Sequence, residues 1–156
     1  MKLTESFLKV HSIGDFLVNI LMIAIIPAIG EELLFRGIIQ KLLIEWTRKT
    51  WLGIVLTAII FSAIHFQFYG FIPRFLLGML FGYLLIWSKN IWLPIFAHFI
   101  NNGTAVFVAF LISKNSITKE AETVGSTGDS LIYGVFSLMI CGFLLFLLFK
   151  KTHRVL

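Results

Sequence analysis

Long apolar blocks constrain this chain more than any other feature. Residues 16–30, 51–66, 91–112 and 131–149 each run without a single Asp, Glu, Lys or Arg. Blocks of this length are the signature of helices that cross a membrane. The composition agrees: 58% of the 156 residues are hydrophobic and 13% are charged, about half the charged share of an ordinary soluble domain.

Five apolar segments follow. The first starts near Asp15 or Phe16, runs through Gly30 and continues to Trp46. It is too long for one simple span, and Pro27 and Gly30 suit a kink or a break into two helices. The second runs from Trp51 to about Phe66. The third covers Phe71–Trp87 with Pro73 in its first turn, and its Gly78 and Gly82, spaced i, i+4, permit close helix contact. The fourth covers Ile91–Ile112 with Pro94 in its first turn, and the fifth Leu131–Phe149. The polar stretch from Ser113 to Asp129 reads as a solvated loop. The expected fold class is therefore all-α: a polytopic membrane helix bundle of about five to six helices with a kinked or broken first segment. Residues 1–156 form a single integral-membrane domain in this reading, with a core at about 16–112 and an extra helix at about 130–150. The expected location is the cell membrane, multi-pass.

The net charge is +5. Arg48, Lys49, Lys89, Lys114, Lys119, Lys150, Lys151 and Arg154 lie between and beside the apolar blocks, as membrane-surface anchors do. Trp46, Trp51, Trp87 and Trp92 fall at segment ends for the same reason. With five alternating spans, the basic residues favour a cytoplasmic C-terminus. No basic stripe interleaved with exposed aromatics argues for nucleic acid, and none is expected as a partner. Cys141 is the sole cysteine and reads as an inert buried thiol. The N-terminal segment shows no small-residue cleavage site and reads as retained.

Ionisable groups inside such blocks cost about 2.5–3.5 kcal/mol at a span centre, so each needs a reason. Glu32 and Arg36 are four apart and can pair on one helix face. Glu31 points about 100° away and is free to face something else. A desolvated glutamate suits a general base. His65 follows Phe61 by four on the second segment, and His98 and Asn102 share a face of the fourth. His65 alone reads as a satisfied core histidine, and the His98–Asn102 set alone as interhelical hydrogen bonding, worth about 0.6 kcal/mol on average in membranes. Three sets in one small chain point to one shared site. Gln67 and Asn101 are candidates for supporting contacts, and Arg74 for a headgroup or substrate contact. In straight, level helices, with segments two and four parallel, His65 and His98 are offset by about 10 Å. Tilt, a deeper start for segment two or a surface-sunk third segment is needed to bring them together.

Together the sets resemble the CPBP family, named for CAAX proteases and bacteriocin-processing proteins. Glu31-Glu32-Leu-Leu-Phe35-Arg36 resembles its EExxxR motif, Phe61-Ser-Ala-Ile-His65 its FxxxH motif, and His98-Phe-Ile-Asn-Asn102 its HxxxN motif. The match in order and spacing covers about residues 23 to 105. The resemblance implies an intramembrane glutamic endopeptidase of the CAAX prenyl protease type II class, without metal or other cofactor. It implies that Glu31 and His65 activate water, His98 and Asn102 stabilise the oxyanion, and Glu32 and Arg36 support the local structure. The implied partners are the lipid bilayer and a membrane-associated or lipidated peptide or protein substrate. Three alternatives stay open: a zinc peptidase using Glu31, His65 and His98, a non-catalytic membrane protein with an immunity or scaffold role, and a transporter or proton relay.

Overall fold

The computed structural model describes residues 12–114, together with residues 116, 139, 142, 149 and 150. Most of the fifth apolar segment including Cys141, most of the polar stretch after Ser113, Met1–His11 and His153 lie outside the described residues.

Among the described residues the regular structure is helical, with no strand. We label the helices α1 (Ile13–Thr47), α2 (Thr50–Ala63), α3 (Phe71–Ser88) and α4 (Trp92–Ser113), with a short 3-10 turn at Phe68–Gly70. Helices α1, α3 and α4 are long and apolar enough to cross a membrane. Helix α2 has 14 residues, about 21 Å of rise against a hydrocarbon core of about 30 Å. Strict alternation of five spans therefore does not follow from these helices. The chain is a multi-pass, all-α membrane protein.

The helix boundaries follow from local chemistry. Ser12 caps α1: its hydroxyl accepts from Asp15 N at 3.1 Å, and Asp15 Oδ2 accepts from Ser12 N at 2.9 Å. Helix α1 ends at Arg48 and α3 at Lys89, both in the left-handed region (φ 54° and 55°). Asn90 Oδ1 accepts from Trp92 N at 3.0 Å and opens α4. Helix α2 stops at Ala63, three residues short of the expected Phe66, and Phe66 itself lies at φ 50°.

The irregularity expected in the first segment takes the form of two π turns. Helix α1 runs on through Gly30, and the π turns occupy Ile20–Ile25 and Phe35–Ile39. Pro27 lies at the start of the α-helical stretch that follows the first of them. There the hydrogen-bond register is already changing, so its missing N–H does not break a regular ladder.

By their internal contacts the residues fall into two compact units. One comprises 24–102; the described parts of the other are 12–23 and 103–114 with the isolated later positions. In the second unit Phe16 packs on Phe110 (ring centres 4.8 Å apart) and edge-on to Phe107 (6.3 Å), and Val106 is buried. In the first unit α2 packs against the end of α1 and against α3. Glycines set the spacing. A methyl group at Gly53 would run into the Ile44 side chain and lie 2.8 Å from its backbone nitrogen. One at Gly78 would come within 3.1 Å of Ala58 Cβ. The close approach expected from Gly78 and Gly82 is therefore made.

Candidate active site

The buried ionisable groups of the unit 24–102 lie in one cluster. Glu32 and Arg36 have no exposed surface, and His98 retains 4%. Arg36 Nη1 donates to Glu32 Oε1 at 2.8 Å, the pairing their spacing predicts. Arg36 Nη2 donates to the backbone oxygen of Gly78 at 3.1 Å. Its guanidinium carbon lies 4.7 Å from the centre of the Phe61 ring and 5.4 Å from that of Phe81. A cation taken out of water is thus compensated by a carboxylate, a carbonyl and two aromatic faces.

His98 joins this pair from α4. Its Nδ1 lies 2.8 Å from the same Glu32 Oε1 that Arg36 engages. A carboxylate only accepts, so the ring donates from Nδ1–H, which leaves Nε2 pointed elsewhere. Nε2 lies 3.9 Å from Glu31 Oε2. That is too long for a direct hydrogen bond and is a separation at which a bridging water is to be considered. The ring is stacked on Phe81 (5.2 Å, 22°) and meets Phe61 edge-on (6.1 Å, 86°). Glu31 is the accessible member, with 30% of its side chain exposed.

Arg36, Glu32 and His98 therefore form a hydrogen-bonded series from the core outward, with Glu31 3.9 Å beyond its end. The other two candidates are placed differently. His65 follows the end of α2; its Nδ1 bonds to the Phe61 carbonyl at 2.8 Å and its ring meets Phe61 at 5.1 Å. Phe61 thus has His65 and His98 both against its ring. Helix α2 ends short of His65, which is carried on the turn that follows. Asn102, one turn beyond His98 on α4, accepts on Oδ1 from Asn101 Nδ2 at 3.1 Å. Gln67 accepts through Oε1 from Arg74 across the turn. Among the described residues no three of His, Cys, Asp and Glu are grouped as ligands of a metal ion, so Glu31, His65 and His98 do not form the ligand set considered above.

Gln40 was passed over in the sequence. It is 1% exposed, and its Nε2 donates to the backbone oxygen of Gly82 at 3.3 Å. Its signal was available: Gln40 is four residues beyond Arg36, as Gly82 is four beyond Gly78.

Comparison with known proteins places the chain in a family. Residues 13–104 match the family model of the type II CAAX prenyl endopeptidase Rce1-like proteins. Among curated proteins, the chain is 29% identical over 102 residues to "Putative membrane peptidase YdiL" of Bacillus subtilis (strain 168), covering 65% of this chain and 41% of that protein. It is 31% identical over 86 residues to the protein YpbD of the same organism, covering 53% of this chain and 41% of YpbD. An Escherichia coli protein of 24.3 kDa is 33% identical over 93 residues, 56% of this chain and 42% of its own length. The chain thus spans about two fifths of the length of these relatives. No solved structure matches it. The matched span holds every residue of the polar cluster, and the chain belongs to the type II CAAX prenyl endopeptidase Rce1-like family.

Proposed function

We propose that this protein is an intramembrane glutamic endopeptidase, independent of metal, that hydrolyses a peptide bond in a membrane-associated or lipidated substrate. The observation that carries this reading is the series Arg36–Glu32–His98–Glu31, buried at one end and accessible at the other. Glu31 is the base. It takes a proton from a water molecule as the oxygen attacks the scissile carbonyl carbon. When the C–N bond breaks, protonated Glu31 returns that proton to the leaving nitrogen. Glu32 holds His98 through Nδ1 and turns Nε2 toward Glu31; with a proton on both ring nitrogens, His98 donates from Nε2–H to the developing oxyanion. Asn102 adds an amide on the same helix, and His65, whose ring also meets Phe61, assists Glu31 in activating the water. Arg36 pairs with Glu32 and holds it in place. An apolar surround strengthens these interactions, because little solvent screens them.

The test is cleavage of a prenylated peptide ending in a CAAX-type tetrapeptide by the purified protein, with products identified by mass. Wild type is expected to cut it at one bond, and Glu31→Ala and His98→Ala to lose that cut. Equal cleavage by all three removes the proposed site, and cell complementation by Glu31→Gln favours a scaffold or immunity role instead.

A further inference from the structure

The second π turn of α1, Phe35–Ile39, carries Arg36 and lies between Glu32 and Gln40. In a regular α-helix, residues 32, 36 and 40 drift by about 40° per step and cannot share one narrow stripe. The wider turn removes part of that drift, and Glu32, Arg36 and Gln40 are all buried on it. A π turn is rare because it costs stability, so something must hold it. Gln40 stands where it closes. Its backbone N–H reaches back five residues to the Phe35 carbonyl, and its side chain donates to Gly82 O on α3. Gly82 directly follows Phe81, the ring stacked on His98. A methyl group at Gly82 would lie 2.8 Å from Gln40 Oε1 and 2.8 Å from Ile54 Cγ2, so the amide fills the room that the glycine leaves.

We propose that Gln40 is a positioning residue: by joining the end of the π turn to Gly82, it sets the register between α1 and α3, and through Phe81 and Arg36 the placement of His98 against Glu31 and Glu32. This rests on the hydrolase reading only for its effect on rate; the effect on the His98 ring stands without it.

The test uses the full chain in detergent, labelled with 15N-histidine, and the prenylated CAAX-type peptide as probe. Gln40→Met keeps the size and removes the amide. It is expected to lower kcat about 10- to 100-fold with KM held, the range in which misplacement on the order of 1 Å acts, and to shift the His98 ring nitrogen resonances. Gly82→Ala displaces the same amide from the other side and is expected to give the same pair of changes. Unchanged kcat and ring resonances overturn the proposal, and so does a fall in kcat with the His98 signals unmoved, which marks general destabilisation. If wild type does not cut the peptide, the hydrolase reading fails, and the His98 signals alone decide the role of Gln40. If Gln40→Met does not fold, Gly82→Ala decides by the same two readouts.

Discussion

Two regions of this molecule carry polar groups in an apolar setting, and they are built in opposite ways. Around Glu32, Arg36, Gln40 and His98, the local Arg36–Glu32 pair is joined by bonds between residues 42 and 66 positions apart. In the stretch from His65 to Arg74, they join residues four and seven positions apart. The first region is buried, while Phe66, Phe68 and Tyr69 in the second are 89–97% exposed. Long-range bonds between helices fix the relative positions of side chains from α1, α3 and α4. Local bonds shape one turn and leave its outer face free. A site that must hold a base, an imidazole and their supports within hydrogen-bonding reach needs the first kind of construction.

Four expectations sharpen or break this contrast. The largest concerns Glu31, which the buried region presents rather than encloses. Glu31→Gln is expected to cut kcat for the prenylated peptide by about 10²–10⁴, the contribution of general acid–base catalysis, while leaving the thermal midpoint in detergent in place. Next is Arg36→Ala, which leaves Glu32 buried opposite no cation. Denaturation should show a loss of about 3–5 kcal/mol, as for a broken buried ion pair. A loss below 1 kcal/mol would mean that the cluster is not the fixed element described here. Gly53→Ala is smaller. Its methyl group meets Ile44 side chain and backbone, and overpacking of this kind costs about 1–3 kcal/mol. The smallest effect belongs to the turn. Phe66→Gly relieves a left-handed backbone but adds chain entropy, so stability should change by less than about 1 kcal/mol. A loss above 2 kcal/mol would show that the turn is held as tightly as the cluster, and the comparison would fall.

The two regions also differ in how legible they were. The Glu32–Arg36 pair follows from i, i+4 spacing on one helix, and Gly78 and Gly82 announce a close crossing because small residues at that interval serve little else in a membrane. What could not be read was what depends on a second helix. The sharing of Glu32 Oε1 between Arg36 and His98 requires α4 to pack at one register. The π turns arise from such packing and carry no residue signature, so Pro27 and Gly30 drew attention to the wrong place. Residue type does not separate Gln40 from its polar neighbour Lys41, although Lys41 is exposed and Gln40 is not. The end of α2 was misjudged by three residues because a phenylalanine at positive φ has no sequence precursor.

The central claim is that Glu31 and His98 act together at the accessible end of a series anchored by Arg36. The most direct measurement is a double-mutant cycle in kcat/KM for the prenylated peptide, using Glu31→Gln, His98→Ala and the two combined. Residues that act as a unit are far from additive. The account predicts that each single variant loses most of the activity and that the double variant loses little more than either. Losses that add independently, or single variants that cleave like wild type, would contradict it.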